Sequence, residues 1–430
     1  MATPYLIEST TTAIGQPLAQ FQGPFKLGSN WYAAIDDFSI APFGTKRVGV
    51  SKSTDDGVTW TMQDTANEQE YGGNCNVTDS GTQLSFAFNH FTPTEIRLQL
   101  FNTATDTWGS AVTGGPTDPI FGIGNGQHLL HAILSNGDRV VCWETGIGGG
   151  NDSLKVALYN GAWQAPITIE TSAGGNRIEL FGLQVDSSDR VHILRKKTAT
   201  GQLIYCQFVA GALGADTIIA GSWNNVFANY GLYITASDEI VFPLKGTIGL
   251  NFINLLRGTP SSAPVFTIDP ITEPTLLCRR ISIAIRPDES VLYAVLYLVD
   301  PSPFDHETIQ WYSQAQPGPG GWDAIPTLMW DELTDPPTPP QTIYDDNTPI
   351  SVIIADSPLV MALTNGYFGQ DLLGDDFCAI QIFIQAPLGA STPLTLDCPS
   401  GGTTAQIGVF YDEFLQASGG TPPYLFEVIP

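Results

Sequence analysis

Short apolar runs separated by tight polar turns fill the chain, and no stretch carries the spacing of a long amphipathic helix. One pattern recurs. An apolar run leads into a turn rich in Asp, Asn, Ser and Gly, and a second apolar run returns from it. The clearest copies are HLLHAIL-SNGD-RVVCWE around Asp138, FGLQV-DSSD-RVHILR around Asp189, YGLYI-TASD-EIVFPL around Asp238 and ISIAI-RPDES-VLYAVLYL around Asp288. Weaker copies centre on Asn30, Gly81 and Asp356, so the anchors return about every fifty residues. The last interval is lengthened by the proline-rich stretch DELTDPPTPPQT at 331–342.

Each unit continues into a third run, a turn that often carries Trp, and a fourth run. Trp60, Trp108, Trp163 and Trp322 hold that place, and Trp223 is a further candidate. A four-stranded sheet this short cannot bury both faces alone, whereas radial stacking of such sheets covers them. The pattern predicts an all-β chain folded as a seven-bladed β-propeller over residues 1–398, with six or eight blades as alternatives. The Trp side chains are expected to pack between neighbouring blades.

Ser53-Thr54-Asp55-Asp56-Gly57-Val58-Thr59-Trp60 reads S-x-D-x-G-x-T-W. Asp55 can accept N–H bonds across the hairpin, Gly57 permits a positive φ, and Trp60 anchors the turn. In these residues the chain resembles the Asp-box propellers, the sialidase-like family built from bacterial neuraminidase repeats, over roughly residues 14–390. One box is intact, while Asn102–Trp108 and Gln314–Trp322 match it in outline. The resemblance implies a structural role for Ser53, Asp55, Gly57, Thr59 and Trp60, away from any active site. Residues 399–430 differ in character. Ala417, Gly419, Gly420, Pro422, Pro423 and Tyr424 resemble the opening of a bacterial immunoglobulin-like module, but the segment is far short of the ~100 residues such a sandwich needs. It is expected to be extended or partly immunoglobulin-like, ordered by packing on its own propeller, a neighbouring subunit or another module. Homo-oligomerisation through this tail is part of that expectation.

Charge narrows the partners. Asp and Glu number 43 against 17 Lys and Arg, a formal charge of −26. Phosphate backbones are gripped by Lys and Arg, so nucleic acid is excluded, and an acidic surface disfavours anionic membranes. No apolar run approaches the ~18 residues of a membrane span. The opening MATPYLIESTTTAIGQPLAQ has neither the basic nor the apolar region of a secretory signal. The six cysteines form no CxxC pair. Cys142, Cys206 and Cys378 sit in strand-like runs and read as buried thiols, whereas Cys75, Cys278 and Cys398 lie near strand ends, where a disulfide stays open.

The family resemblance makes sialidase chemistry the first test. Such an enzyme has three arginines on the substrate carboxylate, a Tyr nucleophile assisted by Glu, and an Asp general acid. Its first arginine comes in an FRIP-type motif, and the corresponding QFQGPFKLGSNW carries Lys26 instead. Arg139 and Arg190 read as solvated turn partners, Arg279 and Arg280 as neighbours on opposite strand faces, and Arg47, Arg97, Arg177 and Arg257 stay open. His128 and His131 are placed to face opposite sides of a strand, and no HExxH, GxSxG or GxxxxGK[ST] motif is present. The run ETGIGGGNDS reads as a hairpin loop. Asp36-Asp37, Asp345-Asp346 and the loop bearing Asp371, Asp375 and Asp376 could give oxygens to Ca²⁺, the last of these first; no other cofactor is expected.

These residues point to a non-enzymatic recognition or structural module displayed on a virion or an extracellular surface, with glycans and other structural proteins as partners. The missing signal tilts this towards a phage tail or capsid-associated protein. The alternatives are a sialidase-like glycoside hydrolase or lyase with an unrecognised site, and a propeller scaffold or assembly factor.

Overall fold

Antiparallel pairing needs only a tight turn between strands, and the sequence supplies one after almost every apolar run. The computed structural model describes residues 4–10, 22–37, 47–57, 59–63, 70–77, 81–91, 94–117, 129–145, 151–173, 178–197, 200–219, 232–245, 253–259, 261, 264–272, 277–286, 288–300, 306–316, 321–323, 326–331, 342–343, 351–356, 359–370, 376–385, 395–397 and 416–418. Every regular element among them is a strand.

Six sheets are blades of consecutive strands. Sheet I holds Gln22–Leu27, Asn30–Asp37, Arg47–Ser53 and Thr61–Met62. Sheet II holds Glu70–Val77, Gln83–Phe91, Thr94–Asn102 and Thr107–Trp108. Sheet III runs from Leu129–Ile133 through Arg139–Thr145 and Asn151–Tyr159 to Ile167–Ala173. Sheet IV runs from Ile178–Val185 through Val191–Lys197 and Gln202–Val209 to the short Ala212–Leu213 and Thr217–Ile219. Sheet V holds Tyr233–Ile234, Ile240–Lys245, Ile253–Gly258 and Phe266–Thr272, and sheet VI holds Leu277–Ile285, Val291–Asp300, His306–Ala315 and Thr327–Asp331.

A further sheet, VII, draws on both ends of the chain. Ser351–Asp356, Leu359–Gln370 and Asp376–Gln385 pair in order, and Pro4–Thr10 adds to the outer side of Asp376–Gln385. Ser351–Asp356 packs against Gln22–Leu27 of sheet I and against Leu277–Ile285 of sheet VI, so sheet VII closes the ring. The propeller implied by the repeat is therefore the fold. The family resemblance, starting near residue 14, left out the closing strand.

The core is a set of seams between sheets, because alternation sends successive side chains of each strand to opposite neighbours. Tyr32 and Ala34 of sheet I meet Phe86, Phe88 and Phe101 of sheet II. Ala87, Ile96 and Leu98 of sheet II meet Val141 and Trp143 of sheet III. Val140 and Cys142 of sheet III meet Ile193 and Cys206 of sheet IV. Leu194 and Tyr205 of sheet IV meet Phe242 and Leu244 of sheet V, whose Val241 and Leu255 meet Ile283 and Leu296 of sheet VI. Trp108, Trp163 and Trp322 join the I–II, II–III and V–VI seams. Trp223 lies outside the described residues.

The turns between first and second strands set the repeat's register. Gly137, Asp189, Asp238 and Glu289 take the left-handed conformation (φ 87°, 59°, 64° and 53°) and donate N–H to Leu134, Asp186, Thr235 and Arg286. This is a tight turn followed by a left-handed bulge residue. The anchors at Asp138 and Asp288 are thus corrected by one residue, to Gly137 and Glu289, since backbone conformation, not the presence of an Asp, makes the positions equivalent.

Cys75 and Cys278, where a disulfide stood open, are buried as thiols, and Cys398 lies outside the described residues. Thr395–Asp397 pairs with Gln416–Ser418 in a two-stranded sheet.

Candidate functional site

In each blade the turns joining strands one to two and three to four share one end of the ring. The other connections share the opposite end, where the second strands finish in His90 and Phe91, Glu144 and Thr145, and Lys196 and Lys197. The segments that follow those strand ends, 92–93, 146–150 and 198–199, lie outside the described residues.

The sequence Ser53–Trp60 lies between strands three and four of sheet I. Ser53 Oγ accepts the N–H groups of Asp55 (3.4 Å) and Gly57 (2.9 Å) and donates to Asp55 Oδ1 (2.8 Å). Asp55 also receives Thr59 N–H (2.8 Å) and Thr59 Oγ1 (2.6 Å), and these bonds, the hydroxyl first, hold its carboxyl down at about 2. Trp60 Nε1 donates to Gly57 C=O at 2.8 Å, and Gly57 stands at φ 89°. Ser53, Asp55, Thr59 and Trp60 thus all bond within the turn. Lys26, at the place where a sialidase arginine was sought, lies over the Trp31 ring (5.1 Å) and pairs with Asp56 (3.6 Å).

At this same end, consecutive blades are tied turn to turn. Ser135 N–H and Oγ both donate to Asp189 (2.7 and 2.6 Å). One blade on, Ser187 N–H and Oγ donate to Asp238 (2.9 and 2.7 Å). Ala236, which has no hydroxyl, gives only its N–H to Glu289 (2.6 Å). Asp189, Asp238 and Glu289 therefore each serve the preceding blade, a partner that the turn's own sequence does not reveal.

The arginines are occupied by structure. Arg195 is fully buried and joins sheets III and IV: Nε donates to Glu170 (2.9 Å), Nη2 to Asp216 (2.6 Å) and Nη1 to Cys206 Sγ (3.3 Å). Burial lifts the Glu170 carboxyl, but Lys197 and Arg195 outweigh it and leave it below its ordinary value. Arg257 bridges sheets V and VI through Asp269 (3.2 Å), Glu239 (2.9 Å) and Gln314. Arg97 is held by Glu95 at 2.7 Å, whose other oxygen takes Gly114 N–H. Arg190, expected to be solvated, instead donates to Asp186 and lies 3.8 Å from Asp238. Arg139 is half-buried too, and burial pulls its pKa down. The strand register shifts between Cys278 and Arg280, while Arg177 lies outside the described residues. Arg195, in VHILRKKT, escaped the sequence reading because nothing local marks a cation that is neutralised by other strands.

Among the described residues no group of three or more His, Cys, Asp or Glu could hold a metal ion. Asp371, Asp375, Asp345 and Asp346 lie outside them; Asp36 and Asp37 end a strand of sheet I and Asp376 opens a strand of sheet VII. His131 is buried against Ser85 Oγ of sheet II (3.2 Å), and His128 lies outside the described residues.

No family model matches the chain, and no curated protein matches it. Solved structures do. The fucose-specific lectin from Aleuria aurantia is 11% identical over 87% of this chain and 98% of that one, with a TM-score of 0.42. The phage phi92 endosialidase is 10% identical over 100% of this chain and 76% of that one, with a TM-score of 0.45. A subtype N10 neuraminidase-like protein of A/little yellow-shouldered bat/Guatemala is 9% identical over 75% and 94%, with a TM-score of 0.42. At such identities a likeness extends to the course of the chain and not to what is bound. The chain is an all-β propeller whose structural neighbours include endosialidase and neuraminidase-like proteins.

Proposed function

We propose that the chain is a non-enzymatic recognition or structural module, displayed on a virion or cell surface, that engages glycans or protein partners. The observation that carries this is the commitment of its cations. Arg97, Arg190, Arg195 and Arg257 each pair with acids of their own or a neighbouring sheet, and Lys26 is stacked on Trp31. An anionic sugar would have to displace those partners, leaving buried carboxylates unpaired. The end of the ring opposite the Ser53–Trp60 turn, with its largely polar strand ends, is the proposed recognition face. Ca²⁺ held by Asp371, Asp375 and Asp376, and oligomerisation through the tail, belong to the same proposal.

A glycan array and a fluorogenic sialoside assay test it together. Retention of defined glycans without release of product is the expected result. Product release that survives purification and is abolished by Arg97→Ala would replace this reading with a hydrolase.

A further inference from the structure

A buried hydrogen-bonded chain crosses sheet IV and is anchored on sheet V at both ends. At one end Asp238 of sheet V receives Ser187 and lies beside Arg190. Arg190 donates to Asp186, and Asp186 Oδ2 faces His192 Nε2 at 3.1 Å. His192 Nδ1 meets Tyr205 Oη at 2.7 Å, Gln207 Nε2 meets the same hydroxyl at 2.7 Å, and Gln207 Nε2 reaches Ser261 C=O of sheet V at 3.0 Å. His192 is 1% exposed, Tyr205 2% and Asp186 6%.

The chemistry of the donors fixes the direction of every proton. The amide nitrogen of Gln207 can only donate, so Tyr205 Oη accepts from it and sends its own hydrogen to His192 Nδ1. His192 is then neutral, with its proton on Nε2, donating to Asp186. Asp186 is already full, since it also receives the N–H groups of Ser188 (2.9 Å) and Arg190 (2.9 Å). A second proton on the ring would sit on Nδ1 and point at the Tyr205 hydroxyl. That hydroxyl would have to turn its hydrogen from Nδ1 towards the Gln207 amide nitrogen, which itself only donates, so the contact between Tyr205 and Gln207 on the way to Ser261 would be weakened.

We propose that the seam between sheets IV and V is a proton-sensitive latch, closed while His192 is neutral and loosened when its ring takes up a second proton. The titratable and charged groups facing His192 are Asp186 and Arg190 from the first turn of sheet IV, Tyr205 from its third strand, and Asp238 from sheet V. Burial pulls the ring's pKa down against the opposing pull of the Asp186 carboxylate, so the ring takes up its second proton at lower pH than an ordinary histidine. The neighbouring seams differ in kind. Those between III and IV and between V and VI are held by Arg195 and Arg257, which keep their charge. The II–III seam contains His131, which burial and the nearby Arg139 charge hold neutral down to about 3.

The test is amide hydrogen exchange on the full chain above and below the His192 titration, which histidine ring NMR locates, with exchange corrected for intrinsic rates. Expected is a rise of about tenfold in exchange for 186–192 and 261–267 with none in 129–143. His192→Gln, which can still accept from Tyr205 and donate to Asp186 but cannot titrate, should remove the rise. Equal acceleration at every seam, no acceleration at all, or the same rise in His192→Gln would overturn the proposal. Should His192→Gln fail to fold, Tyr205→Phe carries the test. Freed of the hydroxyl at Nδ1, His192 should titrate at higher pH than in the parent chain, and an unchanged titration would overturn the latch.

Discussion

Ser187 gives both its backbone N–H and its hydroxyl to the carboxylate of Asp238, one blade away, at 2.9 and 2.7 Å. The same two-bond tie links Ser135 to Asp189. The turn acid thus acts as a tangential tie between blades, in the direction in which a ring of sheets would open.

Asp238→Asn tests that role, since Asn tolerates the left-handed conformation and changes only the charge and one acceptor. Charge-assisted bonds are worth about 1.5–3 kcal/mol, so a loss of about 1–2 kcal/mol in urea unfolding is expected. Asp138→Asn, at a residue that bonds only within its own turn, should stay within about 0.5 kcal/mol. Equal losses at both positions would remove the distinction between tie and turn.

Asp55 predicts a pH dependence. Its folded pKa, about 2, lies below the ordinary 3.8, so the unfolded chain binds its proton first as the solution is acidified. Its contribution is therefore complete above about pH 4 and is lost as the pH falls towards about 2. Melting temperatures of the parent chain should fall more steeply across that window than those of Asp55→Asn. Parallel curves would mean that the turn's hydrogen bonds do not favour the charged form.

Gly115 is required for space. A Cβ there would lie 1.9 Å from the carbonyl oxygen of Ile96 and 3.1 Å from Trp163 Cε2 of the next blade. Backbone cannot yield as a side chain can, so Gly115→Ala is expected to cost about 3 kcal/mol. Neighbouring Gly114, at φ 71° with open space around its Cβ position, should lose about 1 kcal/mol on the same change. Soluble yield and urea midpoints of the two variants give the comparison, and a milder effect at Gly115 would count against the close approach.

Cys75, Cys142, Cys206 and Cys278 are buried, and burial pushes the thiols of Cys75, Cys142 and Cys206 up, the last to about 11 despite the opposing Arg195 guanidinium. Peptide mapping after alkylation should find Cys75, Cys142 and Cys206 unlabelled in the folded chain and labelled in urea. Rapid native labelling of Cys142 or Cys206 would show that the III–IV seam opens.

The repeat was legible because its turns use residues that the left-handed region demands. Asp189 and Asp238 were placed directly, and Gly137 and Glu289 were missed by one position. An Asp can brace its own turn or the turn next door, and the local pattern is the same for both. Pro4–Thr10 was missed for a related reason. Its alternating side chains are visible in PYLIEST, but its partner, Asp376–Gln385, is at the far end of the sequence. Arg195 and Arg257 look like ordinary strand residues until Glu170, Asp216 and Asp269 are brought to them from other strands.

Closure by strands from both ends sets an order of events during synthesis. The hairpins of sheets I to VI pair residues close in sequence and can form as they leave the ribosome. Pro4–Thr10 must wait until Asp376–Gln385 has emerged. Until Ser351–Asp356 has also emerged the growing chain is an open arc, with the Trp31 face of sheet I and the far face of sheet VI uncovered, and such surfaces invite association with other unfinished chains. Interruption of translation shortly before residue 351 should therefore yield a species far more prone to aggregation than the closed ring.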